Sequence, residues 1–330
     1  MILKKFIILN KKMKKFIKFD SKISSFETVC FYSNKNYQFV NFSEEYKIKD
    51  EDILVLTLNS KNFSLDLKNE PYRIQKIIEK YPNNFIFYDL IGEEDFNIKI
   101  EHSNLYFLYG NYPSIKKQNY FYFPFYWWLI ESICKKTYIP QKNYEKKFLM
   151  PVAQYKKWRE RFIHYMTFYL KDAIYSQVYK KIYLPNDGSN NSFNDRFFNP
   201  SWYDSTFFSL VLETNINNNS IFITEKTFKP IQYFHPYMVM GSKNSLKLMK
   251  DWGFQTFENL FDESYDEEED FIKKVKIIQD NIENFNYSPY DSITKEKLEL
   301  NYNNFYQKKQ INQYSENVFF PEIEKVINSQ

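Results

Sequence analysis

Glycine scarcity restricts this chain more than any other feature: its 330 residues include only Gly92, Gly110, Gly188, Gly241 and Gly253. A Rossmann dinucleotide loop (G-x-G-x-x-G) and a Walker-A loop both need closely spaced glycines, because only bare backbone can wrap a phosphate. No two of the five lie that close, which excludes both nucleotide motifs. What remains must build its fold and its sites from side chains. The supply is ample, since 43% of residues are hydrophobic and 34 Phe, 29 Tyr and 5 Trp are present. At this length two domains are expected over one.

The charge balance, 45 − 41 = +4, lacks the basic footprint of a dedicated nucleic-acid binder. Nucleic acid is therefore not indicated as a partner, though not excluded. Arginine is used four times, at Arg73, Arg159, Arg161 and Arg196, against a background rich in Lys, Asn, Ile, Phe and Tyr. That background suggests an AT-rich coding genome, in which each arginine merits a closer look. Cys30 and Cys134 are too few for a disulfide scaffold and fit a reducing compartment, so a cytoplasmic location is expected. His102, His164 and His235 show no metal-ligand spacing with each other or with cysteine, and H-E-x-x-H is absent. No metal site is expected. The basic segment Met1 to Asp20 lacks the cleavage site of a signal peptide, and the longest apolar run, Tyr120 to Ile130, contains Pro124. That run is well short of the roughly 20 residues needed to span a bilayer. A soluble protein without a membrane span is expected.

The first 110 or so residues alternate short apolar runs with polar or helical segments, as an α/β domain does. Ile53 to Leu58, Phe85 to Leu90 and Leu105 to Tyr109 read as strands. Between the first two, Ile74, Ile77 and Ile78 are spaced as on a helix from Tyr72 to Tyr81. Tyr120 to Ile130 reads as a core or interdomain helix, with an aromatic wall for a sugar ring as the alternative. A second block starts near Lys146, where Phe148-Leu149-Met150 reads as a strand leading into a helix. On that helix Trp158, Phe162, Tyr165, Met166 and Tyr169 form an apolar stripe, which places Arg159 and Arg161 off the stripe, toward solvent or a cleft. Beyond a polar loop over residues 185–192, Phe207 to Leu212 and Pro236 to Met240 read as strands. Ser242 is the expected N-cap of a helix that Gly253 terminates. The acidic run Asp262 to Asp270 precedes a helix with a Phe271, Val275, Ile278, Ile282 stripe and offsets its macrodipole.

The densest chemistry lies between Phe207 and Gly241. A strand ends in Glu213, a polar loop follows, and Thr224-Glu225-Lys226 opens a helix. Ligands of open α/β folds bind beyond the carboxyl ends of strands, and a helix N-terminus attracts anions. A carboxylate can accept bonds from a ribose diol while an ammonium neutralises a diphosphate, so this pair suits a nucleotide. The alternative is a surface ion pair beside a capped helix.

These residues carry a resemblance. Leu212-Glu213-Thr214-Asn215, then Phe222-Ile223-Thr224-Glu225-Lys226, then Met238-Val239-Met240-Gly241 resemble the donor-binding signature of the α1,3-fucosyltransferase family, F-E-N, Y-x-T-E-K and V-P-V-x-x-G. Upstream, Arg159, Phe162 and Met166 match the family's R-x-x-F-x-x-x-L helix in register. The resemblance covers roughly residues 147 to 260. Phe222 stands where the family has Tyr, Thr214 replaces an Asn, and Pro151-Val152-Ala153 replaces an Asn-Pro. The stretches Trp202-Tyr203, Thr224-Glu225-Lys226 and Asp262 to Asp266 also resemble phage and giant-virus proteins, in keeping with the AT-rich composition; the location would then be the host cytoplasm.

The resemblance implies a GT-B-like fold, two Rossmann-like α/β domains facing across a cleft. It assigns residues 1–140 to an acceptor-side domain, 141–290 to a nucleotide-sugar-binding domain, and 291–330 to a helical tail. It further implies an inverting glycosyltransferase that moves a sugar from a nucleotide-sugar donor, a GDP-sugar foremost, to a glycan acceptor. Arg159 and Lys226 would neutralise the diphosphate, Glu225 would bind the ribose, Phe222 and Thr224 would complete the donor site, and Glu213 would support it or approach the sugar. Cations placed in advance stabilise a leaving diphosphate without an obligatory metal. The one D-x-D match, Asp50-Glu51-Asp52, precedes its strand and reads as a solvated turn. The base for the acceptor hydroxyl would come from the N-terminal domain, where Glu93 and Glu94, just beyond a strand, are the best-placed acids. Two other readings stay open: a viral enzyme that glycosylates DNA bases, and a non-catalytic structural or interaction protein that retains the fold.

Overall fold

The computed structural model describes residues 15–19, 27, 37–43, 45–57, 63–90, 100, 102–110, 112–113, 119–124, 127, 138–185, 199–216, 220–307 and 313–329. Glu93, Glu94, the polar loop at 186–192 and the basic residues 1–14 lie outside them. In chain order the elements are β1 (Lys15–Lys18), β2 (Gln38–Asn41), β3 (Ile53–Thr57), α1 (Phe63–Lys80), β4 (Ile86–Leu90), β5 (Leu105–Tyr109), β6 (Tyr112–Pro113), β7 (Tyr120–Tyr122) and β8 (Lys146–Met150). There follow α2 (Lys157–Met166), β9 (Ala173–Tyr175), α3 (Pro200–Asp204), β10 (Thr206–Leu212), β11 (Ser220–Ile221), α4 (Glu225–Gln232) and β12 (Tyr237–Met240). The last helices are α5 (Ser245–Asp251), α6 (Phe271–Asn284), α7 (Ser292–Gln307) and α8 (Phe320–Ile327).

Packing divides the chain into two units. The first comprises Met1–Tyr109, Lys117–Tyr122 and Phe319–Gln330, the second Gly110–Lys116 and Phe123–Val318. The division thus falls earlier than residue 140. Trp127 explains why: its ring packs against Trp252 and Phe254, at 5.9 and 4.8 Å, so the chain already belongs to the second core there. The segment 291–330 is likewise shared, α7 going with the second unit and α8 with the first.

The first unit holds a parallel sheet in the order β2-β1-β3-β4-β5-β7. Helix α1 makes the expected crossover between β3 and β4, but it starts nine residues before Tyr72 at Phe63 and runs through Pro71. Its buried Ile74 and Ile78 cover the sheet. Strand β1 escapes the sequence pattern because lysines bracket its two core residues, Phe16 and Ile17, both fully buried. Tyr120–Tyr122 is an edge strand and not a helix. Tyr120 stacks on Phe107 and Tyr109 with centroids 5.0 Å away in each case, and cross-strand aromatic pairs of this kind favour the pleated surface.

The turn before β3 also differs from expectation. Asp52 is buried, and its Oδ2 accepts bonds from Lys49 N at 2.9 Å and Tyr46 Oη at 3.1 Å, so it is a structural tie at the amino end of the sheet, not a solvated acid.

The second unit is built on a parallel sheet in the order β12-β10-β8-β9, with β11 paired antiparallel to β6. The Asn199-Pro200 pair opens helix α3, Asn199 Oδ1 accepting from Ser201 N at 3.0 Å. Helix α5 is capped otherwise than expected. Ser242 is not its cap; the Asp266 carboxylate accepts from Leu246 N at 3.0 Å and Lys247 N at 3.2 Å. The acidic run is therefore divided in its work, since Asp266 serves α5 while Asp270 caps α6 through Lys273 N. Gly253 ends the α5 segment with a φ of 80°, as anticipated for a left-handed terminator. Among the described residues no helix is long and apolar enough to cross a membrane.

Candidate functional site

Strands β8 and β10 run parallel, so their carboxyl ends open on the same edge of the second sheet. Beyond that edge, and along the start of α4, lies a cavity of about 420 Å³, within the size range of small-molecule sites. Arg159, Glu225, Lys226 and Lys229 line it beside Pro151, Val178, Tyr203, Ser209, Val211 and Pro230. Charged groups thus stand over an otherwise largely apolar wall.

Glu213 sets the frame. It is 1% exposed, and its carboxylate accepts four bonds: Oε1 from Thr224 N at 2.9 Å and Thr227 Oγ1 at 2.6 Å, Oε2 from Thr224 Oγ1 at 2.6 Å and Thr214 N at 3.2 Å. These bonds tie the end of β10 to the first turn of α4. Both oxygens are engaged in that brace, and Glu213 itself is behind the cavity wall. Thr224 is the N-cap of α4, its hydroxyl facing Lys226 N at 3.5 Å. Gly241 leaves room for the brace: a β-carbon there would come within 2.9 Å of Ser245 Oγ and 3.5 Å of Glu213 Cβ.

Arg159 is where the structure departs most from the sequence pattern. The buried face of α2 is Arg159, Phe162, Ile163 and Met166, while Trp158 is only half-buried and Tyr165 is exposed. The buried face is thus rotated from the stripe the sequence spacing suggests, and Arg159, 2% exposed, belongs to the interior. Its guanidinium donates to Glu213 O at 2.7 Å, Leu212 O at 3.1 Å and Gln154 O at 3.3 Å. Backbone carbonyls that end β10 supply the partial negative charge that lets a buried arginine stay charged, and that charge borders the cavity. Arg161, two residues on and about 200° around the helix, is exposed and lies over the Phe271 ring at 4.7 Å.

Glu225 and Lys226 form an ion pair of 2.6 Å, and the Lys226 ammonium also reaches Thr224 Oγ1 at 3.2 Å and Thr214 Oγ1 at 3.3 Å. Thr214 therefore supplies an acceptor to the lysine where the resembling signature has Asn. Burial opposes ionisation of Glu225, but the positive charges of Lys226 and Lys229 prevail and hold its carboxyl below the ordinary value. Lys229 lies outside the sequence motif but lines the cavity. It stands one turn after Glu225 on α4, and that i, i+4 spacing is the signal that would have found it. Phe222 is buried, 3% exposed, and is not part of the cavity lining. Of the sequence-named residues, then, Arg159, Glu225 and Lys226 meet at the cavity, while Glu213 and Thr224 hold its frame. Among the described residues no group of three or more His, Cys, Asp and Glu side chains is placed to hold a metal ion.

No family profile matches the sequence, and no curated protein matches it by sequence. Solved structures do. An α1,3-fucosyltransferase crystal structure matches with a TM-score of 0.50 at 10% identity, over 97% of this chain and 92% of that one. The same kind of enzyme with GDP matches at 0.49 and 11% identity, over 97% and 92%. T4 phage BGT in complex with UDP and Mn2+ matches at 0.43 and 11%, over 96% of this chain and 99% of that one. At such identities a likeness speaks of fold alone, and only the first is close enough to do so. With the two parallel α/β units it gives the chain a GT-B-like fold.

Proposed function

We propose that this protein is a glycosyltransferase that takes its sugar from a nucleotide-sugar donor held in the second unit. One observation carries the reading: Arg159, Lys226, Lys229 and Glu225 converge on a single cavity at the carboxyl ends of parallel strands. Three cations around one carboxylate suit a ligand with a diphosphate and a diol. Lys226 and Lys229 would bind the diphosphate, with the Arg159 charge behind them, and Glu225 would accept from the ribose hydroxyls. Thr224 and Glu213 act by holding the first turn of α4 in place. Negative charge grows on the diphosphate as the glycosidic bond breaks, and fixed cations in a partly dry site stabilise it with no reorganisation. On this reading a divalent metal is not obligatory. A GDP-sugar is the favoured donor, since the signature residues are those of the fucosyltransferase resemblance. Transfer to a glycan hydroxyl with inversion needs a carboxylate base, for which Glu93 or Glu94 is the candidate.

Thermal denaturation with GDP, UDP, CDP, ADP and TDP, each with and without divalent metal, tests the reading. At 100 times its dissociation constant a ligand adds about 2.7 kcal/mol of stability. The expected result is a clear rise in Tm with at least one diphosphate in the presence of chelator. No rise with any of them at millimolar concentration removes the donor site.

A further inference from the structure

The inner wall of the cavity carries a hydroxyl whose hydrogen-bonding direction is fixed from behind. Ser209 lies on β10 and lines the cavity, although only 2% of it is exposed. Its Oγ is 2.7 Å from His235 Nδ1. The other ring nitrogen, Nε2, lies 2.7 Å from Thr206 O and 3.3 Å from Thr206 Oγ1. A carbonyl oxygen can only accept. The threonine hydroxyl donates its own proton to Trp202 O at 2.7 Å, so it too faces the ring as an acceptor. Nε2 must therefore carry the proton. Burial, aided by the Lys142 charge, pushes the His235 pKa well below the ordinary value and keeps the ring neutral, which leaves Nδ1 bare. The Ser209 proton then points at Nδ1, and only lone pairs are turned to the cavity.

We propose that Ser209, fixed as an acceptor by His235, is a specificity-determining residue that reads an N–H on the ring edge of the donor's nucleobase. This rests on the donor-site reading above and adds the base to it. Ser209 lies within β10 and Lys226 follows its carboxyl end, and both line the same cavity, so a diphosphate at Lys226 would leave its ribose and base to extend toward Ser209. Val178, Tyr203, Val211 and Pro230 line the cavity around it and offer an apolar slot for a flat ring. Guanine and uracil carry a ring N–H on the edge opposite the sugar. Adenine and cytosine carry a ring nitrogen lone pair at that place, which an acceptor-only hydroxyl repels.

The backbone that aims His235 is itself strained. Beyond the C-cap Tyr233 of α4, Phe234 takes a φ of 49° and His235 N donates to Pro230 O at 3.0 Å, a Schellman closure normally built on glycine. Stacking of Phe234 on Tyr302, with centroids 4.2 Å apart, holds the non-glycine residue there. One short helix thus carries the charged pair at its start and positions the histidine behind Ser209 at its end.

Titration calorimetry with two size-matched pairs, GDP against ADP and UDP against CDP, tests the proposal on the full chain and on Ser209→Ala and Ser209→Thr. In at least one pair the wild-type protein is expected to favour the N–H base by about tenfold, the worth of one well-made hydrogen bond. Ser209→Ala should close that gap by weakening GDP or UDP while leaving ADP or CDP unchanged, and Ser209→Thr, which keeps the hydroxyl, should retain it. Equal affinities within both pairs in the wild type, an arm that needs no variant, would overturn the role of Ser209 while leaving the donor site standing. A preference that survives in Ser209→Ala would do the same. Failure of every diphosphate to bind the wild type would instead remove the donor site, and this proposal with it.

Discussion

Both units of this chain are parallel sheets with buried strands, yet their best-defined polar ties sit at opposite ends. In the first unit Asn84 Nδ2 donates its two protons to Lys49 O at 2.7 Å and Asp52 O at 2.8 Å, with Asp50 O 3.3 Å away, closing the turn at the amino ends of β3 and β4. In the second, Glu213 and Arg159 tie the carboxyl end of β10 to the start of α4 and to Gln154 in the segment that follows β8. Buried polar groups at the amino ends pin a turn. The same outlay at the carboxyl ends builds a charged wall around a cavity, because there the strands lead into the segments that receive ligands. The end of the sheet at which the network stands therefore separates scaffold from site.

The sharpest break in this comparison is Glu213→Ala. It leaves four donors without their acceptor in the interior, and an unmet buried group costs about 1–3 kcal/mol, so a loss on the order of 3 kcal/mol or more in urea unfolding is expected. Nucleotide binding should vanish with it. Asn84→Ala, its counterpart in the first unit, should cost about 2 kcal/mol and leave nucleotide affinity unchanged. If Asn84→Ala abolished binding, the network at the amino ends would not be scaffold alone.

Arg159→Ala comes next. A charge-assisted hydrogen bond contributes roughly 1.5–3 kcal/mol, which is about 10- to 100-fold in affinity. Because Arg159 is interior and braces three carbonyls, the variant should also melt earlier, in contrast to a residue that only faced the cleft. Arg161→Ala, on the exposed side of α2, should change neither property appreciably. Calorimetry and melting curves on the two variants check this directly.

A smaller effect concerns Lys142, which donates to Tyr203 O at 3.1 Å and Tyr233 O at 3.3 Å behind the second unit's site. Burial lowers its pKa from 10.5 to about 8, against the opposing pull of Asp204. Between those two values the unfolded chain holds a proton that the folded chain has released, so this group adds stability as pH rises through about 8. Relative to Lys142→Met, the wild type should thus gain stability from pH 7 to pH 10. A difference that stays constant over that range would show that the lysine titrates normally. The smallest effect is expected from Gly241→Ala, about 1 kcal/mol of overpacking as the new methyl meets Ser245 Oγ, read as a shift in urea midpoint.

Much of the second unit was legible because its signals are local. From Phe207 to Leu212 β10 is apolar but for Ser209, Thr224 is a capping residue at a helix start, and Glu225-Lys226 follows it directly. The cavity's remaining parts depend on tertiary packing. Arg159 looked exposed because Trp158 and Tyr165 mimic a core stripe, and only the contact with the ends of β10 turns the helix so that arginine faces inward. Ser209 and His235 are 26 residues apart and meet because β10 pairs with β12. In the first unit lysines at both ends hide β1, and β2 is a four-residue edge strand with no buried residue, too short to show alternation.

Isothermal titration of GDP into the wild type and Lys226→Ala tests most directly whether Lys226 and its neighbours form a nucleoside diphosphate site. Lys226 is partly exposed and contributes nothing to the apolar core, so its removal should leave Tm within a few degrees while weakening GDP about 10- to 100-fold. A folded Lys226→Ala protein that bound GDP as tightly as the wild type would contradict the account and reduce the Glu225–Lys226 pair to a surface ion pair beside a capped helix.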